Sequence, residues 1–538
     1  MMPFTFSTPS AGERMPVMAK NIVATSQPLA AQAGLSMLQR GGNAADAAIA
    51  AAITLTVVEP TSNGIGSDGF SIVWDGTQLH GLNASGRSPA AWTSTYFDQK
   101  YPELAAAMPV RGIDSVTIPG AVSQWVALSE KFGKLDFQEL FAPAIGYARD
   151  GFMVSPITAA SWARQAEMIT EPDFQRDFTI NGAAPKAGES WQFLAQANTL
   201  EDIADTRGNS FYRGQLAEKM VAHSIALGGA HGMVDFQHHQ ADWVGTIHAD
   251  YHDVRLHEIP PNGQGLAALI GLNILENFDL RAFGVDSILG THIQIEAMKL
   301  AFADAYQYIA DGQYQEMPVT ALLDKAYAKS RAALIQLDRA SAPTFGIPSH
   351  GGTVYLTTAD ASGMMVSLIQ SNYMGFGSGV VVPGTGIALQ NRGHGFVRDN
   401  QYTHNHANCV APNKRPFQTI IPGFLTTTDN QPLMSFGVMG GHMQPQGHIQ
   451  MVTRIRDYGQ NPQAASDAAR WMVNPDGTVS IEDALKASIG GHLQAMGHRI
   501  ATPEGVNFAY GGAQLIWRTK DGYVAGSDHR KDGHAVGY

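Results

Sequence analysis

The spacing of apolar residues predicts several helices. In IQIEAMKLAFADAYQYIADG, residues 293–312, apolar side chains recur every three to four positions, which predicts a helix that stops at Gly312. QPLAAQAGLSMLQRGG, residues 27–42, has similar spacing and ends in two glycines. Asn43 follows as the predicted N-cap of a second helix over the alanine-rich run 44–58. That run contains an aspartate and is shorter than the roughly 20 residues of a membrane span, so we expect a buried helix.

Branched and alternating residues predict strands elsewhere. TVYLTTA and MMVSLIQ, separated by the turn DASG, predict a hairpin over residues 353–370. Residues 416–441 predict a second hairpin, and FSIVW and LHGLNA predict two more strands. The pattern over residues 90–286 is mostly helical, and the polar segment 313–350 is predicted to be a linker. Because strands and helices occur in separate blocks, the sequence predicts an α+β fold.

The charge balance and the cysteine count narrow the function classes. The 538 residues include 35 Lys and Arg against 47 Asp and Glu, a formal net charge of −12, without a dense basic run. We therefore expect no nucleic-acid partner. The single cysteine, Cys409, excludes an internal disulfide framework, and the N-terminal segment lacks a basic stretch followed by an apolar run. These features favour a cytoplasmic protein without membrane attachment.

Motifs for cofactors and metals are not supported. GIGSDG, residues 64–69, matches G-x-G-x-x-G, but the dinucleotide fingerprint needs a strand before the glycines and a helix after them. Here a predicted helix comes first and a predicted strand follows, which indicates a tight turn. The Cys and His residues show no standard zinc spacing. We expect neither a cofactor nor a metal ion.

Thr353 opens a predicted strand directly after Gly351 and Gly352. In most proteins such a threonine is only a β-branched strand residue. A cut between Gly352 and Thr353 would give the hydroxyl an adjacent α-amine, whose pKa of about 7.7–8.0 lets it accept the hydroxyl proton. The glycines would allow the strained turn that brings this hydroxyl to the preceding carbonyl. The spacing alone leaves both interpretations open.

Eight segments, spread over nearly the whole chain, share a family pattern. They are VATSQPLAAQAGLSMLQRGGNAADAAIAAA, VVEPTSNGIGSDGF, LNILENFDL, IEAMKLAFADAYQYIADG, TVYLTTADASGMMVSLIQSNYMGFGSG, KRPFQTIIPGF, MGGHMQPQGH and SDHRKDGHAVGY. In this order they resemble the γ-glutamyltransferase family of autocleaving N-terminal-nucleophile hydrolases. GRSPAAW, LQNRG and MQPQGH resemble the branch of that family that contains oxamate amidohydrolase.

The resemblance implies a proenzyme folded as a four-layer αββα sandwich. The chain would be cut into a large fragment, 1–352, and a small fragment, 353–538, which remain each other's partners. Gly352 and Thr353 would flank the cut. A homodimer is an option that the sequence leaves open.

The resemblance also implies the catalytic residues. Thr353 aligns with the catalytic threonine, and Ser371 aligns with a hydroxyl residue that orients it. Gly440 and Gly441 match the glycine pair whose backbone amides form the oxyanion hole. The groups needed for amide hydrolysis are therefore all expected.

The substrate-binding residues of γ-glutamyl enzymes are not retained. In a gap-free alignment, Ser85 replaces the arginine that holds the substrate α-carboxylate, and Gly395 replaces the aspartate that holds the α-amino group. A serine pair becomes Gln418 and Thr419, and an asparagine becomes Tyr373. Because the loss of a buried carboxylate would leave an ammonium group unpaired, we expect a free α-amino acid head group to bind poorly.

Two arginines add positive charge instead. Arg392 stands where the family has glutamine, and Arg87 lies two places after the lost arginine. A planar guanidinium suits a carboxylate, so both are candidate anchors for an anionic amide without an ammonium group. Each could instead form a structural ion pair.

The combined prediction is an amidohydrolase that cleaves a small carboxylate-bearing amide, such as oxamate, through an acyl-enzyme. Two alternatives stay open within the family. One is γ-glutamyl transfer or glutathione hydrolysis with an altered pocket, and the other is a cephalosporin acylase-like amidase. A third alternative, outside catalysis, is an uncut binding protein.

Overall fold

Two seven-stranded antiparallel sheets lie at the centre of the protein. The computed structural model describes residues 14–105, 107–341, 352–399, 406–501 and 507–538. The strands of the two sheets are β1 (Val17–Ala19), β2 (Ile22–Thr25), β3 (Asp68–Trp74), β4 (Leu79–Asn83), β5 (Asp242–Trp243), β6 (Ile247–Tyr251), β7 (Val254–Glu258), β8 (Gly352–Ala359), β9 (Met365–Tyr373), β10 (Gly423–Thr427), β11 (Pro432–Val438), β12 (Ala513–Arg518), β13 (Tyr523–Ser527) and β14 (His534–Gly537). The first sheet has the order β14-β2-β8-β9-β3-β4-β5, and the second has the order β1-β13-β12-β11-β10-β7-β6. Smaller sheets pair Phe152–Met153 with Ser190–Trp191, Val381–Val382 with Ile387–Ala388, and Val479–Ile481 with both Trp471–Val473 and Ile500–Ala501.

Helices cover the outer face of each sheet. Those of eight or more residues within the described ranges are α1 (Pro28–Gln39), α2 (Ala44–Val58), α3 (Ala121–Phe132), α4 (Ala142–Asp150), α5 (Pro156–Ala166), α6 (Leu194–Thr206), α7 (Gln215–Ala226), α8 (Gly265–Leu275), α9 (Ile288–Tyr308), α10 (Lys325–Ala332) and α11 (Met443–Arg456). Shorter helices are Ser94–Lys100, Pro172–Phe178, Asn209–Arg213, Met233–Gln237, Leu280–Phe283, Val319–Leu322, Pro462–Asp467, Asp483–Leu485 and Gly491–Ala495. α1, α2 and α3 pack on the first sheet, and α8 and α11 pack on the second, with α9 against α8. Among the described residues, no helix has the length and apolar character needed to cross a bilayer.

Three apolar layers separate these helices and sheets. Val354 and Leu356 of β8 belong to the layer shared with α2. A second layer joins α8 and α11 to the other sheet. Phe70, Tyr355 and Ile369 lie in a third layer between the two sheets. Helix, sheet, sheet and helix therefore form the predicted αββα sandwich.

Several local signals act as the sequence predicts. Asn43 caps α2 by accepting the Asp46 N–H at 3.0 Å, and the Asp46 side chain accepts the Asn43 N–H at 3.0 Å. β8 and β9 form the predicted hairpin. α9 ends at Tyr308, before the predicted stop at Gly312, because Ile309 already has an extended backbone.

Two regions differ from the prediction. β5, β6 and β7 lie in the stretch 90–286, where a mostly helical pattern is expected. IHADY and VRLH do alternate apolar and polar residues, but the strands have only two to five residues each, too short to stand out among the longer helical patterns of this stretch. α10 lies within the predicted linker 313–350, and residues 342–350 of that segment lie outside the described residues.

Strands from both sides of Thr353 are interleaved in each sheet. In the first sheet, β8 pairs with β2, β9 pairs with β3, and β14 pairs with β2. In the second sheet, β10 pairs with β7, and β13 pairs with β1. A cut before Thr353 would therefore leave both fragments in the same two sheets.

Candidate active site

Thr353 lies at the start of β8, beside an irregularity in the pairing with β9. The register places two β9 residues, Ser371 and Asn372, opposite Thr353 alone. Such a bulge bends a strand and redirects its side chains. Tyr355 faces the space between the sheets, so Thr353, two residues earlier, faces the same space. Only 1% of Thr353 is exposed, which places its hydroxyl inside the sandwich.

Ser371 holds the Thr353 hydroxyl. Thr353 Oγ1 donates a hydrogen bond to Ser371 Oγ at 3.2 Å. The same serine oxygen accepts the backbone N–H of Tyr373 at 2.8 Å. Tyr373 has a φ of 75°, a left-handed conformation that is uncommon for a bulky residue. The strained end of β9 therefore fixes the serine oxygen beside the threonine.

Gly440 and Gly441 turn the chain from β11 into α11. Their φ values are 114° and 60°, which glycine adopts without the strain that a Cβ would bring. The Gly441 carbonyl accepts a hydrogen bond from Gln264 Nε2 at 2.8 Å, and the Gly440 carbonyl accepts the Met443 N–H at 3.0 Å. Within the described ranges, no hydrogen bond uses the N–H of either glycine. The turn therefore has two backbone donors that an oxyanion could use.

Gln444, in the first turn of α11, connects this glycine turn to Thr353. Its backbone N–H donates to the Gly441 carbonyl at 3.2 Å, and its side-chain Nε2 lies 3.5 Å from Thr353 Oγ1. Its Oε1 accepts the backbone N–H of Ile421 at 2.9 Å. Nothing in the motif MQPQGH distinguishes this glutamine from Gln446, so the sequence does not predict the contact.

Arg392 is buried, with only 1% of the residue exposed. Its Nη1 donates to Thr419 Oγ1 at 2.7 Å, and its Cζ lies 4.7 Å from the centre of the Tyr373 ring. Its Nε and Nη2 have no hydrogen-bond partner among the described residues. Burial lowers the pKa of Arg392 to about 10, although the charge of Asp68 acts in the opposite direction. The guanidinium therefore has one nitrogen fixed and an unpaired edge.

Arg87 has a different environment. Its Nη1 lies 3.1 Å from Asp311 Oδ2, and its Nη2 lies 3.6 Å from Asp242 Oδ2. Asp242 also lies 2.8 Å from Arg415 Nη1. The side chain of Arg87 is 24% exposed. Two carboxylates therefore balance its charge, which corresponds to the ion-pair alternative.

Asp68 is a buried carboxylate at the start of β3, opposite Ser371 in the strand register. Its Oδ2 accepts a hydrogen bond from Gln418 Nε2 at 2.7 Å, and its Oδ1 accepts the Gly86 N–H at 3.1 Å. Burial raises the pKa of Asp68 to about 6, although the charge of Arg392 lowers it in part. The interpretation of GIGSDG as a turn does not predict this role, because a glycine-rich motif says little about the one acid within it.

Polar side chains near Ser371 form a single group, which we call the Arg392 cluster. Its members are Asp68, Tyr373, Arg392, Gln418 and Thr419. The Tyr373 hydroxyl and Gln418 Oε1 are also buried without a hydrogen-bond partner in the described part of the chain. The cluster therefore combines an unpaired cationic edge with an unpaired amide acceptor.

Comparison with known proteins gives the family. A family model described as Gamma-glutamyltranspeptidase matches residues 30–538. The chain belongs to this family. The predicted family resemblance is confirmed over nearly the whole length of the chain.

Similar proteins of the gamma-glutamyltranspeptidase family carry several names. The chain is 34% identical to the glutathione hydrolase-like YwrD proenzyme of Bacillus subtilis, over 96% of this chain and 98% of that protein. It is 33% identical to the oxamate amidohydrolase proenzyme of Klebsiella pneumoniae, over 95% of this chain and 97% of that protein. A cephalosporin acylase from Bacillus halodurans has a crystal structure that matches with a TM-score of 0.94 and 45% identity, covering 100% of this chain and 99% of that one. The protein is therefore an N-terminal-nucleophile amidohydrolase of this family.

The two positions where γ-glutamyl-binding residues are replaced, Ser85 and Gly395, are both closely packed. Ser85 is buried, donates to Asn83 Oδ1 at 2.8 Å and accepts a hydrogen bond from Asn262 Nδ2 at 3.1 Å. A Cβ on Gly395 would lie 2.9 Å from the carbonyl oxygen of Phe417. An arginine at the first position or an aspartate at the second would therefore require the surrounding structure to move.

A second group of buried polar side chains lies away from this site. Ligand-type atoms of His292, Glu296 and His498 lie within 4.8 Å of one another. Lys299 Nζ donates to Glu296 Oε1 at 2.8 Å, and the Ser341 N–H donates to Glu296 Oε2 at 2.8 Å. Burial, followed by the charge of Lys299, lowers the pKa of His498 to about 3. Because an ammonium group already contacts the carboxylate, this cluster suits the anchoring of Ser341 better than the binding of a metal ion.

Proposed function

We propose that the protein cuts itself before Thr353 and hydrolyses a small amide that carries a carboxylate, with oxamate as the simplest example. The observation that carries the proposal is the unpaired Nε–Nη2 edge of the buried Arg392. This edge offers two parallel N–H donors, the arrangement in which a guanidinium binds a carboxylate bidentately. Because an unpaired buried charge is costly, a substrate carboxylate at this edge would gain a strong interaction.

Thr353 would act as both nucleophile and base after the cut. Its α-amine, with an ordinary pKa of about 7.7–8.0, accepts the hydroxyl proton while Oγ1 bonds to the amide carbonyl carbon. Ser371 orients the hydroxyl, and the amides of Gly440 and Gly441 stabilise the oxyanion by about 3–4 kcal/mol per donor. The leaving nitrogen takes the proton and departs. Water then attacks the ester carbon, which releases the acid and restores Thr353.

The other members of the Arg392 cluster would define the acyl group. Tyr373 covers one face of the guanidinium, and Thr419 fixes Nη1. Gln418 donates its amide N–H to Asp68, so its Oε1 would accept a hydrogen bond from an N–H or hydroxyl of the substrate. Arg87 is a weaker candidate anchor, because two aspartates already balance its charge.

The names of similar proteins support an amide with an acidic group. One relative is named an oxamate amidohydrolase, and the structural neighbour is named a cephalosporin acylase. Oxamate and cephalosporins both carry a carboxylate. Glutathione hydrolysis, the alternative suggested by another relative's name, would need an ammonium site that Gly395 does not supply and a carboxylate site that Ser85 does not supply.

A substrate panel tests the proposal. The wild type, Thr353→Ala, Arg392→Met and Arg87→Met are assayed on oxamate, its neutral analogue oxamide, a glutaryl amide and a γ-glutamyl anilide. We expect ammonia release from oxamate by the wild type and none by Thr353→Ala. Arg392→Met should raise KM for oxamate by about 30-fold or more, the loss of a charged hydrogen-bonded pair, and change KM for oxamide little. Arg87→Met, the matched control, should have a small effect on both substrates.

Other outcomes would contradict specific parts of the proposal. Equal KM increases for oxamate and oxamide would remove Arg392 from carboxylate binding. Faster turnover of the γ-glutamyl anilide than of every carboxylate amide without an ammonium group would favour glutathione hydrolysis. Preference for the glutaryl amide over oxamate would favour an acylase with a larger substrate. Hydrolysis by Thr353→Ala would exclude Thr353 as the nucleophile.

A further inference from the structure

The side chain of Gln444 has a fixed orientation. Its Oε1 accepts the backbone N–H of Ile421 at 2.9 Å, and a backbone N–H can only donate. The Nε2 group must therefore point the other way, where Thr353 Oγ1 lies at 3.5 Å. Gln444 is fully buried, so water does not compete at this position.

The hydrogen bonds of Thr353 leave its oxygen able to accept this donor. The Thr353 hydroxyl hydrogen points to Ser371 Oγ at 3.2 Å. The lone pairs of Oγ1 therefore remain for the amide hydrogen of Gln444. The distance of 3.5 Å is long for a hydrogen bond, but catalytic contacts in an unliganded site often shorten when the reacting atoms are in place.

Gln444 also lies next to the expected oxyanion hole. It follows Gly440 and Gly441 by one helical turn, and its backbone N–H donates to the Gly441 carbonyl at 3.2 Å. When Oγ1 bonds to the substrate carbon, the oxyanion lies on that same carbon, one atom away from Oγ1. A donor already directed at Oγ1 needs only a small shift to reach it.

We infer that the side chain of Gln444 is an additional oxyanion donor, acting together with the amides of Gly440 and Gly441. This inference rests on the proposed function. During attack, Oγ1 forms the C–O bond, its proton passes to the α-amine of Thr353, and the carbonyl π electrons move to the oxygen. Gln444 contributes an N–H hydrogen bond to that oxygen and transfers no proton.

Substitution of Gln444, with a matched control on the same helix, tests the inference. Gln444→Met and Gln444→Glu each remove the N–H donor, and the glutamate keeps the acceptor for Ile421. Gln450→Met is the control, because Gln450 is buried in α11 and donates to the carbonyls of Gln446 and Trp471 at 3.1 and 3.0 Å. The Gln450→Met variant therefore loses comparable structural hydrogen bonds at a position that does not contact Thr353.

The expected result separates catalysis from folding. Both Gln444 variants should lower kcat on oxamate, per mole of cut enzyme, by about 10²-fold or more with little change in KM. If a Gln444 variant folds with the melting temperature of Gln450→Met but cuts itself far more slowly, that outcome also supports the inference, because self-cleavage forms an oxyanion at the same threonine. Gln450→Met should keep kcat near the wild-type value.

The opposite results would overturn the inference. A kcat for Gln444→Met within about threefold of that of Gln450→Met, with normal cutting, would show that Gln444 is structural. A Gln444→Glu variant with wild-type kcat would show that its N–H is not used. A wild-type protein that neither cuts itself nor hydrolyses any amide would refute the proposed function, and the inference with it. If the wild type is active but Gln444→Met and Gln450→Met have the same kcat, only the inference fails and the proposed function stands.

Discussion

At the residue scale, the buried carboxylate of Asp68 lowers the stability of the fold when it is ionised, but it also orders a side chain of the site. Burial raises its pKa from 3.8 to about 6. Between these two values the unfolded chain is already ionised while the folded chain holds the proton, so the unfolded state binds fewer protons. Stability therefore falls as the pH rises through this interval, by about 3 kcal/mol in total. The ionised carboxylate also accepts a hydrogen bond from the Gln418 amide and so holds that amide in one orientation.

Replacement of Asp68 by asparagine should therefore stabilise the fold at neutral pH. In a Thr353→Ala background, which keeps the chain uncut, we expect Asp68→Asn to have the higher melting temperature at about pH 7.5 and a much smaller advantage at about pH 4.5. Thermal melts at both pH values measure the difference. A loss of stability at about pH 7.5 that shrinks at about pH 4.5 would instead show that the ionised carboxylate stabilises the fold through Arg392 and Gln418.

Asp75 provides a control, because its replacement by asparagine should change the stability in the opposite direction. Burial tends to raise the pKa of Asp75, but hydrogen bonds from Thr77 and His80 outweigh it and lower the pKa below its ordinary value. Its ionised form therefore stabilises the fold. Asp75→Asn should lower the melting temperature at neutral pH, and the loss should shrink as the pH falls toward the lowered pKa.

The amino-acid identity of Arg392 and Arg87 does not decide whether each forms an ion pair or keeps free donors. Both are extra arginines near positions that bind substrate in the family, and the sequence treats them alike. In the structure, two aspartates pair with Arg87, whereas Arg392 contacts a hydroxyl and an aromatic ring. The difference comes from Asp242 and Asp311, which lie far from both arginines in sequence.

At the scale of elements, the site depends on the close approach of α11 to β11. Gly447 lies in α11, where a Cβ would stand 2.5 Å from Val438 Cγ1 and 2.6 Å from Val438 Cβ. A valine Cβ is part of a rigid branch and cannot move aside independently of its strand. Glycine therefore allows the helix to sit close enough to bring Gln444 to Thr353.

Gly447→Ala should separate α11 from β11. We expect it to lower the free energy of unfolding by about 1–3 kcal/mol, the usual cost of overpacking, and to lower kcat because Gln444 moves with the helix. Denaturant unfolding and oxamate turnover measure the two effects. Gly146→Ala is the control, because a Cβ there meets nothing within 4 Å in α4, and it should stabilise the helix by up to about 1 kcal/mol. Equal behaviour of both variants would contradict the packing argument.

At the scale of the whole molecule, the interleaved sheets would hold the two fragments together after self-cleavage. β2 lies between β14 and β8 in the first sheet, and β13 lies between β1 and β12 in the second. Each fragment therefore supplies strands that the other needs for its hydrogen bonds. A cut at one peptide bond removes covalent continuity but none of these pairings.

We expect the cut protein to behave as one particle. Wild-type protein should give two bands on denaturing gels but a single peak in size-exclusion chromatography, and the two bands should separate only with denaturant. Thr353→Ala should give one band near 57.6 kDa that elutes at the same volume. Two native peaks from the wild type would contradict the interleaved arrangement, and two bands from Thr353→Ala would contradict cleavage by Thr353.

The sequence by itself determined the local features of this protein. Gly41 and Gly42 mark the end of α1, and Asn43 marks the start of α2. Alternation predicts the β8–β9 hairpin, and the order of the motifs identifies the family and points to Thr353. These signals act over a few residues or are repeated along the chain, so a linear pattern is enough to detect them. The strands β5–β7 were missed because each has only two to five residues and lies among longer helical patterns.

Only the tertiary structure decided which distant side chains meet. Asp68, Gln444 and Arg392 belong to three separate segments, and each is joined to the Thr353 region by contacts across two sheets and a helix. Which arginine keeps an unpaired edge, and which glutamine faces Thr353, depends on burial and on distant partners. Gln444 and Thr353 are 91 residues apart, and Arg87 and Asp311 are 224 residues apart. Such pairings arise from packing of the whole sandwich, and no local pattern of residues encodes them.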